Sequence, residues 1–138
     1  MRIQKQKNNR EIYKRQKKEN FFLSFYLLRK GKTMEYQIQE NCLTICLPNE
    51  LDHHNAEQIR ILSDRLVEKN HIKYILFDFQ NTNFMDSSGI GVIMGRYRQV
   101  CLFGGEVWAM NTNERLKKIL RMSGVTKIIH MYEEELCI

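Results

Sequence analysis

The stretch that most narrows what this chain can fold into is Tyr74-Ile75-Leu76-Phe77-Asp78-Phe79, almost wholly apolar, aromatic or β-branched. A run of that length and composition suits a strand covered on both faces, so other elements must pack above and below it. Close behind it comes Phe84-Met85-Asp86-Ser87-Ser88-Gly89-Ile90-Gly91, and then Ile90, Ile93, Met94, Tyr97 and Cys101 recur at three- and four-residue steps. That spacing predicts one apolar face of a helix. The junction therefore presents a carboxylate, two hydroxyls and a glycine at a helix start, where unpaired N–H groups and the positive end of the macrodipole favour an anion. Either Asp86 or Ser87 serves as N-cap, and a phosphate esterified to a serine in this turn would accept several of the free N–H bonds. Taken alone, the four residues read more simply as a plain cap.

The rest of the chain alternates in the same way. Tyr36 and Ile38, then Cys42, Leu43, Ile45 and Leu47, predict two strands joined by a turn at Glu40-Asn41. Asp52 or Asn55 caps a helix whose apolar side is Ile59, Leu62, Leu66 and Val67, with Glu57 and Glu68 exposed. Beyond the central strand and helix, Phe103-Gly104-Gly105 turns into a short strand over 106–110. Asn111-Thr112-Asn113 then caps a helix from about Glu114 to Met122, ended by Ser123-Gly124. Val125 to Met131 contains the last strand, and Tyr132 to Ile138 has room for about two helical turns. The predicted order is β-β-α-β-α-β-α-β-(α), an α/β fold with a mixed, mostly parallel sheet. Sites in such sheets gather at the carboxyl ends of strands, which is where Asp86-Ser87 falls, together with the loop carrying Asp52 and His53.

The 138 residues, 43% apolar, suit one folded domain. The formal charge of +6 is unevenly spread, since residues 1–33 hold eleven Lys/Arg against two Glu (+9) and the remaining 105 hold eleven against fourteen (−3). The folded part thus lacks the electrostatic signature of a nucleic-acid-binding domain. Residues 1–33 read as a basic, disordered or non-native extension, with Met34 as the natural start and 34–138 as the domain. The apolar run Phe21 to Leu28 is far short of the roughly 20 residues that span a bilayer. Contact with a membrane surface or an acidic partner is the alternative role for this head. Cys42, Cys46, Cys101 and Cys137 have neither zinc spacing nor a secreted-disulfide pattern, so a reducing cytoplasm and no metal are expected.

Enzymatic signatures are weak. His53, His54, His71 and His130 lie in no triad context, Asp-Ser-Ser-Gly is not a nucleophile elbow, and Gly89-Ile90-Gly91 lacks the lysine of a phosphate loop. Asp78, at the end of the central strand, has no acidic pair or partner lysine and reads as structural.

From Met34 to about Glu135 the chain resembles the anti-sigma factor antagonist family, the STAS domain, and within it the sporulation branch that acts on anti-sigma-F factors. The resemblance is carried by Glu50-Leu51-Asp52-His53-His54-x-Ala56-Glu57, by Phe84 through Tyr97, and by Met122-Ser123-Gly124. It implies a regulator with no catalytic residue and no cofactor of its own. The serine after the Asp of D-S-S-G, here Ser87, would be phosphorylated by the partner anti-sigma factor, a serine kinase that uses ATP, and restored by a PP2C-type phosphatase. The unmodified form would bind the anti-sigma factor, and the phosphorylated form would not. Asp52 would pair with a kinase arginine, while His53, Asp86, Ser88, Gly89, Gly91 and Met94 would line the contact. Three features depart from the family pattern: Pro48-Asn49 before Glu50, a short C-terminal helix, and the basic head. Other readings are a nucleotide-binding or phosphotransfer enzyme on a similar sheet, and a STAS scaffold in a sensory complex.

Overall fold

The run around Phe77 does form the middle of a sheet, with buried clusters on both of its faces. The computed structural model describes residues 24–27 and 33–132. In chain order these are β1 (Ser24–Leu27), β2 (Thr33–Gln39), β3 (Cys42–Cys46), β4 (Glu50–Leu51), α1 (His53–Lys69), β5 (Tyr74–Asp78), β6 (Phe84–Met85), α2 (Ser87–Cys101), β7 (Glu106–Met110), α3 (Glu114–Met122) and β8 (His130–Tyr132). A single 3-10 turn, Val125–Lys127, precedes β8. The main sheet runs β1-β2-β3-β5-β7-β8, antiparallel across its first three strands and parallel from β3 onward. The crossovers from β3 to β5 and from β5 to β7 carry α1 and α2, as parallel pairing requires. Among the described residues, no helix is long and apolar enough to cross a membrane.

Strand alternation divides the interior into two parts. Leu43, Ile45, Ile75, Phe77, Val107 and Ala109 join Ile59, Val92, Ile93 and Val100 of α1 and α2 in the principal core. Their neighbours Cys42, Leu76, Trp108 and Met110 form a smaller cluster on the opposite face, against Tyr74 and Tyr132. Cys42 and Cys46, four apart in β3, share that second face, as their spacing predicts. Burial, reinforced by Asp78 and Glu35, pushes the Cys46 thiol up to about 12.

Several expectations are corrected. Part of the head read as a disordered or non-native extension, Ser24–Leu27, is a strand that pairs with β2 in the register Ser24↔Tyr36 to Leu27↔Thr33. Residues 1–23 and 28–32 lie outside the described residues. Met34 is a fully buried core side chain in β2. The buried face of α2 is Gly89, Val92, Ile93, Arg96 and Val100. Of the predicted stripe, Ile90, Met94 and Tyr97 are half-buried, and Cys101 is exposed. The stripe is rotated because α2 packs on both α1 and β7, and because one position facing α1 is a charged residue that hydrophobic periodicity cannot register. The short strands β4 and β6 escaped prediction, being too brief to show alternation. Tyr132 belongs to β8 rather than to a final helix, and 133–138 lie outside the described residues.

Arg96 joins the two long helices. Its Nη1 donates to the Arg60 carbonyl at 2.7 Å and to Ser63 Oγ at 2.9 Å, and its Nη2 stands 3.7 Å from Asp64. Burial holds its pKa below the usual arginine value, but the group stays charged because that reference value is far above neutrality. Replacing Arg96 by alanine is expected to cost about 2–4 kcal/mol in urea unfolding, through the lost packing and the two lost hydrogen bonds to the Arg60 carbonyl and Ser63 Oγ. Arg96→Met, which refills the volume, should cost less. In peptide-resolved alkylation of the native protein, the exposed Cys101 should react well before Cys42 or Cys46, since Cys42 is enclosed and Cys46 remains a thiol at neutral pH.

Candidate functional site

Two loops leave the carboxyl edge of the sheet, one after β3 and one after β5, and each leads directly into a helix. A series of hydrogen bonds ties them together. Leu47 N–H donates to the Asp78 carbonyl at 2.9 Å, and Thr82 Oγ1 to the Pro48 carbonyl at 2.8 Å. Asn83 N–H donates to the Asn49 carbonyl at 2.9 Å, and its side-chain amide to Asn49 Oδ1 at 2.6 Å. The tie then becomes the two-residue parallel ladder β4–β6, Glu50↔Phe84 and Leu51↔Met85. Pro48-Asn49, one of the departures from the family pattern, therefore supplies part of the clamp. Asp78 also works structurally, its carboxylate accepting from Gln80 N–H and from the Asn111 amide, each at 2.9 Å.

Because the ladder is parallel and in register, the next residue on each side, Asp52 and Asp86, occupies the same place. Each is an N-cap. Asp52 Oδ1 accepts from Asn55 N–H at 3.0 Å and so starts α1. Asn55, the other candidate cap, is buried instead, with its amide donating to the Glu50 carbonyl at 2.6 Å. Asp86 Oδ1 accepts from Ser88 N–H at 2.8 Å and starts α2. Ser87 is the first residue of α2 and is exposed, and it makes no hydrogen bond among the described residues. The first-turn donors are more committed than the sequence suggests: Gly89 N–H donates to the Asp86 carbonyl at 3.1 Å, leaving the N–H of Ser87 itself as the open donor of the turn. An anion on Ser87 thus meets one free N–H rather than several, with the Asp86 carboxylate beside it.

The remaining predicted site residues divide into two groups. His53 and His54 are exposed and meet edge to face at 5.8 Å, and His53 adds to the pull that keeps the Glu57 carboxyl below its usual range, behind the larger effect of Arg60. Ser88 and Met94 are half-buried, Gly91 is exposed, and the 42% exposed Phe84 joins them. Gly89 belongs elsewhere: it is buried, and a Cβ there would fall 2.5 Å from Met85 Cγ and 2.8 Å from Leu51 Cδ2. Its role is to let α2 sit down on the β4–β6 ladder, so it does not line the outer contact. Gly89-Ile90-Gly91 is helical throughout, which removes the phosphate-loop reading of those glycines.

Sequence reasoning missed Asn49, Thr82 and Asn83. Their signal was weak, though the polar pair Thr82-Asn83 and Pro48-Asn49 stand at matching distances before Phe84 and Glu50.

The mixed sheet, with helices in its parallel crossovers, is a STAS-like fold. Residues 33–135 match the STAS domain family, and the chain belongs to it. It is 35% identical over 102 residues to the anti-sigma F factor antagonist of Paenibacillus polymyxa, a match covering 74% of this chain and 87% of that protein. It is also similar to the solved structure of the anti-sigma factor antagonist SpoIIAA in its unphosphorylated form, with TM-score 0.62 and 26% identity over 74% of this chain and 89% of the other. The Bacillus cell fate determinant SpoIIAA in its phosphorylated form gives TM-score 0.60 and 28% identity over 73% and 92%.

Gly89→Ala is expected to destabilise the fold by about 1–3 kcal/mol, because the added methyl displaces Met85 or Leu51. Gly91→Ala meets nothing within 4 Å and should stabilise it by up to about 1 kcal/mol. Paired thermal melts of the two variants check both signs.

Proposed function

We propose that this chain is an anti-sigma factor antagonist of the sporulation type, switched by phosphorylation of Ser87. The observation that carries the reading is an exposed, uncommitted serine hydroxyl directly after one of two acidic caps that stand in register at the edge of the sheet. In this reading the unmodified protein docks on an anti-sigma factor through Asp52, His53, Asp86, Ser88, Gly91, Met94 and Phe84, and so frees the sigma factor. The partner is also a serine kinase, and ATP or ADP is bound by that partner. A PP2C-type phosphatase resets the switch.

The electrostatics support a change of docking rather than of fold. A phosphoserine adds about −1.5 to −2 charges beside Asp86 and Asp52, in a surface that must lose water on binding. The hydrogen bonds of the first turn are already made, so the modification has little to rearrange inside the protein. Similarity to both the unphosphorylated and the phosphorylated SpoIIAA structures, at nearly equal TM-score, is consistent with one fold serving both states. A hundredfold change in affinity requires only about 2.7 kcal/mol.

The test mixes the purified chain with the anti-sigma factor kinase. With ADP a complex should form, and with ATP peptide mass spectrometry should find phosphate on Ser87. Ser87→Ala should lose the modification and keep the fold. Ser87→Asp should bind at least about tenfold more weakly while melting no lower, because an acid at the first position of a helix is favourable. Equal binding of Ser87→Asp and wild type would overturn the reading.

A further inference from the structure

We propose that the exposed basic face of α3 is a second docking element, engaging an acidic surface on the same anti-sigma factor that covers Ser87. The inference rests on the function proposed above. Residues 34–132 carry eleven Lys/Arg and eleven Asp/Glu, yet five of the cations, Arg115, Lys117, Lys118, Arg121 and Lys127, fall between Glu114 and Lys127 with Glu114 as the one acid. The rest of that span keeps six cations against ten acids, a net of −4. Lys117 pairs with Glu114 at 3.3 Å. Arg115, Lys118, Arg121 and Lys127 are exposed and make no ion pair among the described residues. Met122, 78% exposed, lies among them, while Leu116 and Leu120 on the opposite side are fully buried.

Helix stability does not account for this pattern. A cation in the last turn, such as Arg121, is favoured by the macrodipole, but Arg115 stands in the first turn, where the same field opposes it. Position supplies the second argument. Asn113 caps α3 through Leu116 N–H at 2.8 Å and reaches back to the Thr82 carbonyl at 3.5 Å, and α3 packs against β6, whose chain runs on through Asp86 to Ser87. A partner footprint of roughly 800 Å² is about 30 Å across. The nine residues of α3 span only about 14 Å. Because α3 packs on β6 and its cap touches the loop that leads to Ser87, a protein seated on Ser87 would adjoin the amino end of this helix, with acidic groups at Asp52 and Asp86 on one side and the basic face of α3 on the other. Such a dipolar surface fixes orientation and accelerates encounter. A lipid surface fits less well, because the apolar side of α3 is committed to the core and Met122 alone remains to insert. Nucleic acid is disfavoured by the acidic remainder of the domain.

The experiment measures association of the full chain with the ADP-bound anti-sigma factor kinase at low and high salt, for wild type and the triple variant Arg115→Glu/Lys118→Glu/Arg121→Glu. Arg65→Glu/Lys69→Glu, on the exposed side of α1, serves as the charge control. The on-rate of the triple variant should fall at least about tenfold at low salt, with the gap closing as salt rises, and the control should stay near wild type. Should charge reversal disturb folding, the neutral variant Arg115→Gln/Lys118→Gln/Arg121→Gln should show the same trend, to a smaller degree. A triple variant that associates at the wild-type rate overturns the inference and leaves the Ser87 reading standing. If wild type fails to bind the kinase at all, the Ser87 reading falls and this inference with it. Co-sedimentation of wild type, but not the triple variant, with phosphatidylserine vesicles, alongside unchanged kinase association, reassigns the face to lipid and overturns it as well.

Discussion

The two-rung parallel ladder between Glu50-Leu51 and Phe84-Met85 is the constraint on which the site depends. Two strands of two residues bury little surface and would not persist alone. They are held because the loops entering them are clamped by Thr82, Asn83 and Asn49, and because Leu51 and Met85 plug the space beneath Gly89. The ladder converts two loops, distant in sequence, into one platform on which the caps of two helices stand in register. Remove it, and Asp52 and Ser87 would still begin helices, but nothing would fix one relative to the other.

Arg96 provides the corresponding constraint farther along the same helices. A buried guanidinium is a costly group, and hydrophobic residues of like size could often replace it without loss of stability. Its bonds to the Arg60 carbonyl and Ser63 Oγ are directional, so they set where α1 lies against α2 in a way that apolar packing alone would leave looser. Alternation within the site is equally sharp. From Met85 to Gly89, a core side chain is followed by a cap, a free hydroxyl, a half-buried serine and a second core position. Outward chemistry and inward packing thus share one turn of backbone.

Much of this was legible in the sequence. The central strand, the main helices, the caps at Asp52, Asp86 and Asn113, and the turn at Gly124 follow from composition and spacing, because each is a local effect with a strong residue preference. The β4–β6 ladder was not, since two residues cannot display a period and their pairing depends on partners more than thirty positions away. The buried face of α2 was misjudged by the step from Cys101 to Val100, because hydrophobicity gives no weight to a glycine needed for close approach or to an arginine whose Nη1 finds hydrogen-bond acceptors on the neighbouring helix. The family resemblance picked out Ser87, which the structure places at an exposed position, and also placed Gly89 in the contact, although that residue is buried. A conserved-looking motif does not reveal which of its members face inward.

The commitment of the first-turn donors of α2 has a kinetic consequence. With Ser88 N–H held by the Asp86 carboxylate and Gly89 N–H by the Asp86 carbonyl, a group arriving on or leaving Ser87 breaks no internal bond. In the proposed cycle, no conformational barrier within this chain stands between its two states. Under that proposal its memory of past signalling would last only as long as the covalent ester did, and the speed of the circuit would be set by the enzymes that write and erase that ester.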